Sequence, residues 1–203
     1  MSSTRDALMD RAEFYIRTGG YSSFSFRDLA KDLAIKSASV HYHFPTKTDL
    51  GTAVMQRYND RFKAALPDPS LTTLTAPEHL RHYIMMFYTE MMQNQSMCLC
   101  AVLSVEQMLL QPALTDTVDA FYTLNLDWLT SVFQLSPQPA LPKAQAVQRA
   151  TQVLATLQGA LIGASARTEA DYFILAAKAL YKDLFGKDLR FPSTPLIPKN
   201  PDR

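Results

Sequence analysis

Between Phe24 and Leu50 the chain carries three helix-start signals and one enforced stop, so closely spaced that no long helix fits. Ser25 with Asp28 and Thr46 with Asp49 are Ser/Thr-x-x-acid starts, and Ser37 is a further N-cap residue. Such side-chain oxygens accept hydrogen bonds from first-turn N–H groups that have no partner within the helix. Pro45 disfavours helical geometry in Phe44. The run is therefore predicted to form a short helix with Phe26, Leu29, Ala30 and Leu33 inward, and a three-residue turn at 34–36. A second short helix from Ser37 must stop at Phe44. A longer helix follows, with Leu50, Val54, Tyr58 and Phe62 at four-residue steps. Ahead of them, residues 4–18 read as a helix with Leu8, Ala12, Tyr15 and Ile16 on one face. Ser3 and Asp6 start it, and Gly19-Gly20 supplies a left-handed stop.

The rest of the chain also reads as helix. Glycines number only six, no Asn-Gly or Asp-Gly hairpin signal occurs, and apolar residues recur at helical spacing. Pro67 and Pro69 end the fourth helix. Further helices are predicted at about 76–95, 97–110, 113–135, 143–166 and 169–185, with breaks at Pro112, at 136–142 and at Arg167-Thr168. The fold class is all-α with about nine helices. A tail from 187, with Pro192, Pro195, Pro198 and Pro201, is expected to be extended and mobile.

Several function classes lack their signatures. There is no Gly-rich phosphate loop, no His-Glu-x-x-His and no Gly-x-Ser-x-Gly, so the chain is expected not to be an enzyme and to need no cofactor. His41 and His43 stand two apart on a helix and diverge, so no metal site is expected. No uninterrupted apolar stretch reaches the roughly 18 residues of a membrane span. With a polar N-terminus and only Cys98 and Cys100 as cysteines, a reduced cytoplasmic setting is expected.

Two short, steeply crossed helices joined by a tight turn and backed by a longer first helix describe a helix-turn-helix. Residues 1–66 hold ten Lys/Arg against seven Asp/Glu, and residues 67–203 hold ten against twelve. The surplus lies where phosphates would be met. The helix from Ser37 reads Ser-Ala-Ser-Val-His-Tyr-His, offering hydroxyls and imidazoles and no carboxylate. Lys47 stands in the first turn of the next helix, against the dipole, where a bound phosphate would suit both the cation and the free N–H groups.

The stretch from Phe24 to Ala30, followed by Ile35 to Leu50, resembles the DNA-binding signature of the TetR family of transcription regulators, over about residues 4–60. The resemblance implies a DNA-binding domain in residues 1–50 and an effector-binding and dimerisation domain in 51–186. It places Ser37, Ala38, Ser39 and His41 at base-edge and nearby contacts. Ser25, Tyr42, His43 and Lys47 fall on phosphate contacts, with Arg27 beside them. His41 departs from the family's usual Tyr, which leaves its role open between base and phosphate. For His43, packing and phosphate donation are equally compatible with the sequence. The implied partners are a palindromic double-stranded operator, a small-molecule effector and a second copy of the chain, with no membrane.

In the C-terminal body, Tyr83, Met86, Phe87, Met91 and Met97 form a Met- and aromatic-rich stripe, and Met adapts to irregular space. With Cys98, Tyr122 and Trp128 they are the expected lining of an apolar effector pocket, although each also fits plain core. Leu157, Gly159, Ala160, Gly163, Phe173, Ala177 and Leu180 are the expected dimer face on the last two helices. The same spacing also fits a monomer interior. The leading function is a repressor released by a small apolar or aromatic effector. Electrophile or redox sensing through Cys98 and Cys100 is the alternative. On a helix, however, their side chains would diverge by about 200°. A helical enzyme and a DNA binder without sequence preference are the other classes to separate.

Overall fold

Local capping sets where the N-terminal helices begin. Ser3 Oγ accepts from the Asp6 N–H at 3.1 Å while Asp6 accepts from the Ser3 N–H. Ser25 with Asp28 and Thr46 with Asp49 close the same reciprocal pair. The computed structural model describes residues 3–70, 73–94, 97–135 and 141–192. Among them are nine α-helices and no strand, as the sequence predicts. They are α1 (Thr4–Gly19), α2 (Phe26–Asp32), α3 (Ser37–His43), α4 (Lys47–Ala65), α5 (Ala76–Asn94), α6 (Leu99–Val105), α7 (Pro112–Leu135), α8 (Lys143–Arg167) and α9 (Ala170–Phe185). Short 3-10 turns lie at Tyr21–Ser23 and Gln107–Leu109.

Three local expectations are corrected and one is sharpened. Lys36, not Ser37, is the N-cap of α3, and no side chain caps it. The Ser39 N–H instead donates to the Lys36 carbonyl at 2.9 Å, leaving the Ser37 side chain exposed. The break expected at Pro112 falls just before it, and Pro112 is the first residue of α7, because its fixed φ and missing N–H suit a first helical position. Gly20 ends α1 at φ 92° and ψ 169°, beyond the left-handed helical region and open essentially to glycine alone. The segment expected as one helix over 97–110 is only a seven-residue helix and a 3-10 turn.

The α2–α3 turn depends on Ala34, which adopts φ 52° at a cost of about 1 kcal/mol. The Ile35 N–H donates back to the Ala30 carbonyl at 2.9 Å, which closes the turn and fixes the crossing of the two helices.

By packing, the chain divides into two units. The first comprises Met1–Ala65 and Cys98–Thr123, which carry α1 to α4, α6 and the start of α7. Its core includes Leu8, Ile16, Leu29, Val40, Leu50, Met55, Leu99, Leu103 and Phe121, all fully buried. Glu13 of α1, buried, takes Arg57 and Arg61 of α4 at 3.1 and 2.9 Å, so the α1–α4 pairing is fixed by charge as well as by apolar contact.

The second unit comprises Leu66–Met97 and Leu124–Arg203, with α5, the end of α7, α8 and α9. Leu80, Tyr83, Ile84, Val153, Leu157, Phe173 and Ala177 fill its core. Residues 187–192 leave α9 without regular structure, but Leu189 is buried and Phe191 packs edge-on against Tyr88 at 4.9 Å. These contacts anchor the start of the expected mobile tail. Residues 193–203 of that tail, and 136–140 of the expected break, lie outside the described residues.

Candidate nucleic-acid interface

Val40 is the one buried residue of α3, held with Phe44 just past the helix end. With that single anchor inward, the other side chains of α3 are left accessible. Ser37, Ala38, His41 and Tyr42 are exposed, Ser39 and His43 half-buried, and Tyr42 is 84% accessible. Ser25 and Arg27 at the start of α2 are also exposed. Ala38, Ser39, Tyr42 and His43 line a shallow cleft of about 340 Å³ together with Thr4 and Ile35. Thr4 was not legible in the sequence as a site residue, because only the fold brings the start of α1 beside α3.

Acids and bases both stand around α2 and α3, the acids engaged within the chain. The carboxylates of Asp28 and Asp49 are occupied by their own caps, and hydrogen bonds from Ser25 hold Asp28 below the usual carboxylate range. Asp32 is covered by Arg11 and by the Tyr15 hydroxyl, each at 2.6 Å. Arg27, Lys31 and Lys36 are exposed around the two short helices. Lys36 was passed over in the sequence reading, although its place at the start of α3 was a usable signal. Tyr42 and His43 rings meet edge to face at 5.2 Å. The His41 ring rests edge-on against Phe26 at 4.9 Å, with Nδ1 3.4 Å from the Pro45 carbonyl oxygen. That contact leaves Phe26 half-buried, not fully in the core as its spacing suggests.

Lys47, expected at a phosphate, is held by contacts within the chain. Its Nζ donates to the Phe24 carbonyl at 2.5 Å and lies 4.2 and 4.8 Å from the centres of the Phe24 and Tyr21 rings. Burial lowers its pKa against the opposing pull of Glu106 and Asp28. A carbonyl and two ring faces satisfy an ammonium well in a half-dry place, so Lys47 ties α4 to the segment before α2.

The expected effector-pocket residues fall in both units, and each is described within its own. In the second unit the fully buried Tyr83 donates its hydroxyl to Asn125 Oδ1 at 2.5 Å and stacks on Trp128 at 5.3 Å. Phe87 lies 5.0 Å from Tyr83, and Trp128 donates to the Pro67 carbonyl at 2.8 Å. Met86, Met91 and Met97 are half-buried.

In the first unit Tyr122 pairs its hydroxyl with Ser104 at 3.0 Å. Cys98 is the N-cap of α6, with φ −55° and ψ 133°, and so lies outside the helix. The divergence expected for two helical positions therefore does not apply. The Cys98 and Cys100 sulfurs face each other at 2.8 Å, with the Tyr58 hydroxyl 3.2 Å from Cys98.

Of the expected dimer residues, five turn into their own chain and the two glycines do not. Leu157, Ala160, Phe173, Ala177 and Leu180 are buried within their own chain, where α8 and α9 pack on each other. Gly163 is covered by the Tyr172 ring, and its missing side chain permits that close approach. Gly159 is exposed and faces open space. An intrachain helix pair and a dimer seam demand the same spacing, so the periodicity marks an apolar stripe without naming its partner.

Among the described residues no cluster of His, Cys, Asp or Glu could hold a metal ion, and no helix is long and apolar enough to cross a membrane. Residues 8–54 match the family model described as bacterial regulatory proteins, tetR family. No curated protein matches the chain by sequence. A TetR transcriptional regulator from Legionella pneumophila shares the fold at a TM-score of 0.83 and 27% identity, covering 90% of this chain and 98% of that one. A TetR-family regulator from Agrobacterium tumefaciens matches at 0.79 and 28%, covering 88% and 96%. The regulator FadR from Bacillus subtilis, solved in complex with stearoyl-CoA, matches at 0.69 and 15%, covering 90% and 98%. The family model falls on the same short helices whose outward residues were just described, and the likeness to the Legionella and Agrobacterium proteins extends through both units. The chain belongs to the TetR family of DNA-binding transcription regulators.

Proposed function

We propose that the protein is a cytoplasmic repressor that grips a palindromic operator as a homodimer and lets go when a small apolar or aromatic effector binds. The carrying observation is the exposure of α3, whose hydroxyls and imidazoles point outward around one buried valine. Residues 1–50 form the DNA-binding domain and 51–186 the effector-binding and dimerisation domain in this reading. Ser37, Ala38, Ser39 and His41 meet the major groove, and Ser25, Arg27, Lys36, Tyr42 and His43 meet flanking phosphates. Lys47 contributes by holding the segment before α2 in place.

For the dimer, the outer faces of α8 and α9 are the better surface. Ile162, Tyr172 and Leu175 are exposed apolar residues there, and Gly159 lies open beside them. Two copies meeting on that face build a twofold four-helix seam. For the effector, the half-buried Met86 and Met91 beside the Tyr83–Phe87 aromatics supply adaptable apolar lining. The Bacillus regulator was solved with stearoyl-CoA, which supports a fold of this kind taking a ligand with a long apolar chain.

The test is to footprint the full-length protein on DNA flanking its own gene and compare Ser39→Ala and Tyr42→Ala. Protection of a palindrome, weakened in both variants while helix content holds, supports the reading. Equal affinity for every duplex overturns operator specificity, and unchanged binding by both variants overturns the assigned face.

A further inference from the structure

We propose that Cys98 and Cys100 are an oxidation site. A small peroxide links them in a reversible disulfide, and the link changes how the protein holds DNA. The two sulfurs lie 2.8 Å apart, and a disulfide needs about 2.05 Å, so closure asks for less than 1 Å of movement. Cys98 precedes α6, so its side chain can turn without unwinding that helix. Hydrogen bonds from the Cys100 thiol and the Tyr58 hydroxyl outweigh burial and bring the Cys98 thiol down to about 6. Cys98 is thus the nucleophile and Cys100 the resolving partner. Both are buried, 4% and 0% accessible, which favours a water-sized oxidant over a bulky one.

The chemistry balances with hydrogen peroxide as oxidant. The Cys98 thiolate attacks one peroxide oxygen and the O–O bond breaks. Hydroxide leaves and takes up a proton as water, with Cys98 left as a sulfenic acid. The Cys100 sulfur then attacks the Cys98 sulfur and loses its proton, and the sulfenic oxygen departs as a second water. The thiol pair gives up two electrons and the peroxide takes them. A dithiol reductant reverses the bond.

The route to DNA lies within the first unit. Five of the seven residues of α6 are buried, so the helix cannot shift at one end alone. Just past its other end, Glu106 accepts the Tyr21 N–H at 2.6 Å. The Tyr21 ring lies beneath the Lys47 ammonium, which holds the Phe24 carbonyl ahead of α2.

The regulatory half of this proposal rests on the DNA-binding reading, whereas the thiol chemistry is read independently by mass. Full-length protein is treated with hydrogen peroxide, then followed by intact mass and by fluorescence anisotropy on the footprinted duplex. The expected wild-type product has lost the two thiol hydrogens. Cys100→Ser stops at a sulfenic acid that dimedone traps, and Cys98→Ser gives neither product. DNA affinity changes about tenfold in the wild type only and returns with dithiothreitol. Thiols that stay reduced in the wild type, whether or not DNA is bound, overturn the proposal. A disulfide that leaves affinity unchanged, or a reduced protein that binds no duplex, overturns its regulatory half and leaves the modification standing.

Discussion

Helices α3 and α6 are both seven residues long, and neither has a side-chain cap at its start, yet their surroundings are opposite. Only Val40 of α3 is buried, whereas Leu99, Cys100, Ala101, Val102 and Leu103 of α6 all are. Isolated helices this short are marginal in water, so each is held by tertiary contacts. In α3 one anchor and two flanking turns suffice, and the remaining side chains stay available to a ligand. In α6 nearly every position is held by packing, so a change at its first residues is passed on through the packed structure. In the readings proposed above, one short helix touches DNA and the other transmits a change.

The contrast can be broken at its strongest point first. Leu103→Ala, inside α6, is expected to lower unfolding free energy by about 3 kcal/mol in urea titrations. A loss below about 1 kcal/mol would mean α6 is loosely held. Val40→Ala, at the sole anchor of α3, should cost about 2 kcal/mol and weaken DNA binding with it. If stability falls while binding is untouched, α3 is not the reading element.

Tyr42→Ala should leave stability within about 0.5 kcal/mol and reduce operator affinity about tenfold by anisotropy. The two lysines near α3 provide a finer cut. Lys36→Ala should reduce the slope of log affinity against log salt by about 1. Lys47→Met should leave that slope alone and show instead as lost thermal stability, because its ammonium is spent on Phe24. The reverse pattern restores Lys47 to the phosphates. The mildest effect involves no loss of stability. The rate of Cys98 oxidation should climb with pH and level off above about 6, since the thiolate is the reacting form. A rate still climbing towards 9.0, the ordinary thiol value, would mark Cys98 as unactivated.

Much of the DNA-facing half was legible from residue order. The Ser25–Asp28 and Thr46–Asp49 boxes and the Pro45 stop act within three or four residues, so reading them needs no knowledge of distant contacts. The C-terminal body was legible as helices but not as surfaces. An apolar stripe at helical spacing says that a face is buried without saying against what. For that reason Leu157 and Phe173 read equally well as dimer seam or core.

By itself the sequence determined the all-α class, the short paired helices and the polar outer face of α3, because capping, proline geometry and helical period are local properties. Tertiary structure alone decided that Lys47 turns inward to Phe24, that Thr4 joins the cleft beside α3, and that Cys98 and Cys100 point at each other. Each of those outcomes depends on groups brought together from separate helices, or on where a helix starts by one residue. No local pattern encodes such meetings; packing settles them.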